Sequence, residues 1–181
     1  MSDLCPSCRE PLDYPSGDGC AAMTKHKERQ MTNPINTPQL QGWALGMAEH
    51  VAQLSKDPST KVGAIIFDDK RRIVSAGYNG FARGVKDTPS RLHDRETKYK
   101  LTLHAEKNAI LFATGPLDGC TIVVTHPCCA QCAAQIIQSG IKHVMWKKPT
   151  NDFMLRWRDD LLLSYAQFED AGVTVSEIAT W

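Results

Sequence analysis

The chain is organised around residues 121–146, TIVVTHPCCAQCAAQIIQSGIKHVMW. The apolar run at 121–125 predicts a buried strand, and the run at 142–146 predicts a second one. Between them, residues 129–139 predict a helix, and Gly140 ends it because glycine readily adopts the conformation that follows a helix. A strand, a helix and a strand in this order indicate an α/β domain.

Further helices and strands are predicted on both sides of this stretch. They are a helix that starts at Thr37-Pro38 and stops before Pro58, strands at 62–67 and 72–76 joined as a hairpin, a long polar loop at 77–101, helices at 104–113 and 153–168, and a strand at 173–175. A hairpin followed by alternating helices and strands implies a three-layer α/β/α fold. We expect a mixed central sheet of about five strands with helices on both faces.

The first 36 residues differ from the rest of the chain. They are rich in Pro, Gly and polar residues and show no sustained hydrophobic period. We interpret residues 1–36 as an irregular amino-terminal extension and residues 37–181 as one compact domain.

Composition and charge argue against two classes of partner. Lys and Arg total 21 and Asp and Glu total 20, which gives a net charge of +1. This balance provides no broad basic surface, so no nucleic-acid partner is expected. No apolar run approaches the roughly 20 residues of a membrane-spanning helix, and the polar first ten residues are unlike a secretory signal. We expect a cytoplasmic protein, in the host cytoplasm if a phage encodes it, with no membrane partner.

The clearest chemical signal combines His104-Ala105-Glu106 with Cys129 and Cys132, each at the start of a predicted helix. Cysteines three apart lie on one face of a helical turn, so both sulfurs can reach one ion. A helix N-terminus also favours the thiolate, which is the form that binds metal. One imidazole and two thiolates leave a fourth tetrahedral position open, which is typical of a catalytic zinc.

Glu106 is expected to be an acid and base rather than a ligand. Glu106 follows His104 by two residues, so the two side chains do not share a helical face and Glu106 is poorly placed as a ligand. It is better placed beside a water molecule held by the metal. Two alternatives remain at this point. The C-x-x-C pair alone could be half of a structural zinc site or a redox pair, and the protein could be a non-catalytic, zinc-stabilised binding module. A structural site has no need of a proton carrier such as Glu106.

Residues from about 37 to 175 resemble the deoxycytidylate (dCMP) deaminases, within the cytidine deaminase-like superfamily. The matching stretches have the order and spacing of that family, and they are DPSTKVGAII at 57–66, GYNG at 77–80, HAEKNAI at 104–110 and CAQCA at 129–133. The resemblance therefore covers most of the chain.

The resemblance implies hydrolytic deamination of dCMP to dUMP and ammonia, which would supply dUMP for thymidylate synthesis. A zinc-bound hydroxide would attack C4 of the cytosine ring, while Glu106 moves protons from the water to N3 and to the leaving ammonia. His104, Cys129 and Cys132 carry over as ligands of one catalytic Zn²⁺. The alternative enzyme is a deaminase of another cytosine nucleotide or nucleoside, or of a base in nucleic acid.

The resemblance also implies contacts and regulation. Asn79 and Ala105 are expected to bind the nucleotide substrate, and the 77–80 segment separates dCMP deaminases from base and tRNA deaminases. Many members of the family are homo-oligomers, hexamers or dimers, with dCTP as activator and dTTP as inhibitor. We expect a homo-oligomer here, with dCTP and dTTP as candidate effectors.

One position departs from the family pattern. Proline usually precedes the first cysteine ligand, but Cys128 occupies that place and the proline is Pro127. Cys128 and Cys132 are four apart and could also share a helical face. Counting from Thr125 at the strand end keeps Cys129 in the family position, so Cys129 is the favoured ligand.

A second zinc site is conceivable in the amino-terminal extension. Cys5 and Cys8 resemble a zinc knuckle, and Cys20 and His26 could complete a four-ligand structural site, with His93 as another candidate. The alternative is a leader with incidental cysteines.

The residue that binds the 5′-phosphate is left open by the sequence. The cationic candidates are Lys61, Arg83, Lys86, Lys147 and Lys148, each of which could equally be a solvated surface charge. Three aromatic residues could contact the base, although core packing is the usual role of such side chains, and they are Tyr78, Phe81 and Trp146.

Overall fold

A computed structural model describes residues 33–179. The seven helices of this part of the chain are α1 (Pro38–Ala52), α2 (Pro89–His93), α3 (Arg95–Leu101), α4 (Ala105–Phe112), α5 (Ala130–Gln138), α6 (Asn151–Arg156) and α7 (Arg158–Asp170). The seven strands are β1 (Gly63–Phe67), β2 (Ile73–Tyr78), β3 (Gly80–Phe81), β4 (Thr102–Leu103), β5 (Thr121–Val124), β6 (His143–Lys147) and β7 (Thr174–Ile178).

Five of the strands form one mixed sheet in the order β2-β1-β5-β6-β7. The β1 strand is antiparallel to β2 and to β5, whereas β5, β6 and β7 are parallel. The parallel strands are joined through helices, as parallel pairing requires a crossover connection. The predicted three-layer fold with a mixed sheet of five strands is confirmed.

Apolar side chains fill both faces of the sheet. On one face α1 covers a cluster that includes Ile65, Phe67 and Met145. On the other face α4, α5 and α7 cover a larger cluster built around Ile122 and Trp146. The central strands β5 and β6 are buried on both sides, which explains why their apolar residues at 122–124 and 144–146 are consecutive instead of alternating.

A glycine permits the close approach of α4 to the sheet. A Cβ atom at Gly77, in β2, would overlap the backbone of Ala105 and Ala109 in α4. The first turn of α4 therefore lies directly against β2, and Asn108 strengthens this contact by donating a hydrogen bond to the Tyr78 carbonyl at 2.7 Å.

The prediction of a long polar loop at 77–101 is wrong. The segment contains β3, α2 and α3, because Pro89 occupies the first turn of α2 and Asp94 caps α3 by accepting a hydrogen bond from the Thr97 amide at 2.7 Å. Both helices are short and largely polar, so hydrophobic periodicity gave little sign of them.

The single helix predicted at 153–168 is two helices. Trp157, with φ −113° and ψ 16°, leaves the helical conformation between α6 and α7. The apolar spacing continues across this break, which is why the sequence pattern did not reveal it.

The division of the chain at residue 36 stays a prediction. Ile35, on its amino-terminal side, is fully buried in the cluster beneath α1, and Pro34 accepts a hydrogen bond from Arg71 at 3.1 Å. The proposed ligands Cys5, Cys8, Cys20 and His26 lie outside the described residues. Within the described range, no helix is both long and apolar enough to cross a membrane.

A buried ion pair ties α3 to the segment that leads into β1. Lys98 donates to Asp57 at 2.9 Å and to the Ser59 hydroxyl at 3.0 Å, and only 7% and 11% of the Lys98 and Asp57 side chains are exposed. Burial by itself would raise the pKa of Asp57, but hydrogen bonds from Lys98 and from the Ser59 and Thr60 amides lower it. The pair therefore stabilises the fold while Asp57 is ionised.

We expect Lys98→Ala to lower the free energy of unfolding by about 3 kcal/mol, because it leaves a buried carboxylate without its partner. Lys100→Ala is the matched control, since its exposed pair with Glu96 is worth less than about 1 kcal/mol. Because folding lowers the pKa of Asp57, the Lys98 contribution should be fully present above the unfolded pKa near 4, decrease below that value and be lost as the pH falls through the lower folded pKa. Urea unfolding of the three proteins at pH 7 and pH 3.5 measures this, and equal losses for the two variants would contradict it.

Candidate metal centre and active site

Three potential metal ligands converge at the starts of α4 and α5. The Nδ1 atom of His104 lies 3.4 Å from the Cys129 sulfur and 3.3 Å from the Cys132 sulfur. All three ligand atoms lie within 4.8 Å of one another. The structure thus brings together the three residues that the sequence predicted as ligands.

Helix capping places these side chains. His104 and Cys129 are the N-cap residues of α4 and α5, so both project from the first turn of a helix. The Cys129 sulfur accepts a hydrogen bond from the Cys132 amide at 3.4 Å, which turns the two sulfurs toward the same point. The N-terminus of a helix also favours negative charge, so α5 stabilises thiolates at this position.

The donor set fits a zinc ion. A tetrahedral zinc with ordinary Zn–N and Zn–S bonds separates the nitrogen and sulfur ligands by about 3.6 Å, close to the two N–S distances here. Cys132 is buried, Cys129 is half-buried and His104 is exposed, so one side of the cluster is open to solvent. Two sulfurs and one imidazole with an open side suit a catalytic rather than a structural zinc.

Hydrogen bonds among His104, Cys129 and Cys132 shift the pKa values of all three side chains. A hydrogen bond with Cys129 raises the pKa of His104 to about 9, helped by the charges of Glu106, Cys129 and Asp160, although partial desolvation of the ring opposes the rise. A hydrogen bond from Cys132 lowers the pKa of Cys129 to about 4, and the same bond raises the pKa of Cys132. A metal that binds this set must displace the protons of His104 and Cys132.

Glu106 is buried beside the cluster, with 4% of the residue exposed. Burial raises the pKa of its carboxyl, and the positive charge of His104 opposes that rise. Burial raises the pKa of the Cys128 thiol, which is fully buried, and the neighbouring Glu106 carboxylate raises it further. Cys128 therefore contacts the carboxylate and is not one of the three clustered donors.

A cavity of about 350 Å³ opens at the carboxyl ends of β5 and β6. Thr125, His126 and Pro127 line one wall, and the chain runs from there directly into Cys128 and Cys129. Burial, together with the charge of Lys147, lowers the pKa of His126, so its imidazole is neutral at pH 7.

Three of the five phosphate candidates, Lys61, Lys147 and Lys148, line this cavity. Lys147 also pairs with Glu49 at 2.9 Å, so part of its charge is already balanced. The other two candidates are elsewhere: Arg83 lies over the ring of Phe112, 5.6 Å from its centroid, and Lys86 is exposed.

Asn79 is engaged with the backbone that precedes β1. Its side chain accepts a hydrogen bond from the Val62 amide at 2.8 Å and donates one to the Thr60 carbonyl at 2.9 Å. Asn79 lines a second, smaller cavity of about 130 Å³ together with Tyr78 and Phe81. The predicted role of Asn79 in substrate binding stays a prediction, as does that of Ala105, which is fully buried in the first turn of α4.

The aromatic candidates divide between the core and the surface. Trp146 is fully buried and packs edge-on against Tyr165, with ring centroids 5.5 Å apart. It belongs to the core, the role that the sequence favoured for such a side chain. Tyr78 and Phe81 retain partial exposure.

Comparison with known proteins agrees with this geometry. Residues 39–148 match the model of the cytidine and deoxycytidylate deaminase zinc-binding region. The chain belongs to this deaminase family. The resemblance inferred from its motifs is confirmed, and the chain carries a zinc-binding deaminase domain.

Individual relatives support the assignment. An uncharacterised deaminase from the luxG 3′ region of Aliivibrio fischeri is 52% identical over 72% of this chain and 87% of its own length. The deoxycytidylate deaminase of Pongo abelii is 36% identical over 68% of this chain and 70% of its own length. The dCMP deaminase of cyanophage S-TIM5 in its apo form is 25% identical with a TM-score of 0.59, over 78% of this chain and 98% of that one.

Sequence reasoning missed two contacts at the site. The Cys128–Glu106 contact depends on how the turn before α5 faces α4, which no spacing reveals. Asp160, which accepts a hydrogen bond from the Ala130 amide at 3.3 Å, is 30 residues away along the chain in α7. Its position in the first turn of a helix gave no sign of this partner.

We expect Cys129→Ala and Cys132→Ala to bind less than one-tenth of the zinc of the unmodified protein, since each removes one of three ligand atoms. Cys128→Ala is the matched control and should keep its zinc, because its thiol faces Glu106. Metal content after purification and dialysis, measured by elemental analysis, tests this. Full zinc in the Cys129 variant, with loss in the Cys128 variant, would show that the neighbouring sulfur is the ligand.

Proposed function

We propose that this protein hydrolyses dCMP to dUMP and ammonia and so supplies dUMP for thymidylate synthesis. The observation that carries this proposal is the buried Glu106 carboxylate beside the cluster of His104, Cys129 and Cys132. The deoxycytidylate deaminases among its relatives support the choice of substrate.

We assign His104, Cys129 and Cys132 as the zinc ligands. Zinc bound there would act as a Lewis acid and lower the pKa of a water molecule to near 7. The exposed edge of His104 leaves a path by which water and the substrate reach the cluster.

Glu106 is the proton carrier of the reaction. Because burial raises the pKa of its carboxyl, Glu106 accepts a proton from water more readily than an exposed glutamate does at neutral pH. The water oxygen forms a bond to C4, and Glu106 delivers the proton to N3. Glu106 then carries the proton of the new C4 hydroxyl to the amino group, the C4–N bond breaks as C4=O forms, and ammonia leaves with the electron pair of the broken bond.

The cavity at the carboxyl ends of β5 and β6, whose lining includes Pro127 two residues before Cys129, supports recognition of a nucleotide. Lys61 and Lys148 provide ammonium groups that suit a 5′-phosphate, and Lys147 adds charge at the same mouth. We assign the base to the open side of the metal cluster, and Asn79 and Ala105 as further contacts of the nucleotide.

The alternatives are less consistent with these observations. A deaminase of bases in nucleic acid needs a broad basic surface, whereas the net charge is +1. A non-catalytic zinc module has no use for a buried carboxylate at an open coordination position.

Regulation by dCTP and dTTP, assembly into a dimer or hexamer, and location in the cytoplasm stay proposals. Exposed leucines, such as Leu155 and Leu163 at 75% and 61%, support the assembly.

We expect Glu106→Gln to lose at least about a hundredfold in kcat while keeping its zinc, because the amide cannot carry a proton but does not alter the ligands. Glu96→Gln, on the exposed surface of α3, is the control and should be fully active. Ammonia release and metal content are measured on the same samples. Residual activity above one-tenth in the Glu106 variant would exclude it as the proton carrier.

Ammonia release from dCMP, dCTP, CMP, deoxycytidine and cytosine tests the substrate directly, and we expect the highest kcat/KM with dCMP. Lys148→Ala should lower kcat/KM for dCMP about tenfold and leave deoxycytidine unchanged, because it removes a charge that only the phosphate uses. Lys142→Ala, exposed beside the opposite end of β6, is the control. A preference for cytosine or deoxycytidine would contradict the proposed substrate.

A further inference from the structure

Helix α7 holds the first residue of α5 through both of its peptide groups. Asp160 accepts a hydrogen bond from the Ala130 amide at 3.3 Å. Two helical turns further along the same face of α7, Gln167 donates a hydrogen bond to the Ala130 carbonyl at 3.1 Å. Ala130 directly follows Cys129, so these two contacts fix the backbone at the point where the cysteine sulfurs emerge.

The Asp160 contact contributes to the capping of α5. The first amides of a helix have no acceptor within the helix and need one from elsewhere. The Cys129 sulfur accepts a hydrogen bond from the Cys132 amide, and the Asp160 carboxylate accepts one from the Ala130 amide. With Asp160 in place, the Cys129 sulfur makes one amide hydrogen bond and keeps its remaining lone pairs for a metal.

Asp160 lies outside the ligand set and contacts the backbone of the turn that carries the two cysteines. Outer groups of this kind orient metal ligands and adjust how strongly the ligands bind the ion.

Helix packing does not need these two polar side chains. Phe168 of α7 is almost fully buried in the same apolar cluster as Ala133 and Ile136 of α5, and Tyr165 packs against that cluster. Apolar contacts of this extent hold two helices together by themselves. Asp160 and Gln167 act specifically on the turn that carries the cysteines.

We propose that Asp160 and Gln167 are positioning residues of the metal centre, which orient the Cys129–Cys132 turn from α7 and slow the loss of zinc. The proposal rests on the zinc ligands assigned above. It makes the carboxyl-terminal helix part of the metal centre, although no ligand comes from it.

The test measures zinc transfer from the loaded protein to a chromophoric chelator. Losing an outer partner usually costs about 10- to 100-fold in metal affinity, and we expect Asp160→Ala to release zinc faster than the unmodified protein by a similar factor. Asp160→Asn keeps an oxygen that accepts from the Ala130 amide, so it should change the rate less than Asp160→Ala. Asp159→Ala, exposed in the same helical turn, is the matched control and should match the unmodified protein.

Gln167→Ala provides an independent measurement if Asp160→Ala does not fold. It removes the other contact to Ala130 and should also accelerate zinc release. In protein loaded with Co²⁺, the visible absorption bands of the thiolate-bound metal should shift in either variant, whereas a loss of helix packing alone would leave them unchanged.

Release rates within twofold of the Asp159→Ala control in both the Asp160→Ala and Gln167→Ala proteins would overturn the proposal. The assay does not use dCMP. A protein that deaminates another substrate but releases zinc faster in these variants would contradict the proposed function and support this inference.

Discussion

The metal centre depends on the N-termini of α4 and α5 lying next to each other. Nδ1 of His104 and the sulfurs of Cys129 and Cys132 must lie within a few ångströms of one another to hold one ion. Each helix is short, with 8 residues in α4 and 9 in α5, so neither is stable by itself in water. Packing of both helices against one face of the mixed sheet therefore determines where the ligands meet.

The sequence predicted those parts of the molecule in which local pattern and burial agree. The apolar runs of β5 and β6 and the spacing of Cys129 and Cys132 are short-range signals, and both the sheet and the cluster followed from them. The ligand cluster also needed a contact between α4 and α5, whose ligands His104 and Cys129 are 25 residues apart. The position of both motifs at the starts of consecutive predicted helices indicated that contact, and the family resemblance agreed with it.

Long-range polar contacts account for what the sequence could not predict. The segment at 77–101 is ordered by the Lys98–Asp57 pair, whose partners lie 41 residues apart, and such a pair leaves no periodic trace. The same holds for Asp160 and Ala130 and for the thiol of Cys128 beside Glu106. Asn79 illustrates a different difficulty, because its motif suggested a contact with the substrate while its side chain also holds the backbone before β1.

The close approach of α4 to β2 has a consequence for how the reaction centre tolerates change. Because the backbone of Ala105 and Ala109 fills the space of a side chain at Gly77, even one methyl group there would lift α4 and move His104 and Glu106 together. A glycine without any chemical group of its own is then as indispensable to turnover as a ligand. Variation at this position would disable the enzyme by geometry, with every reactive side chain still present.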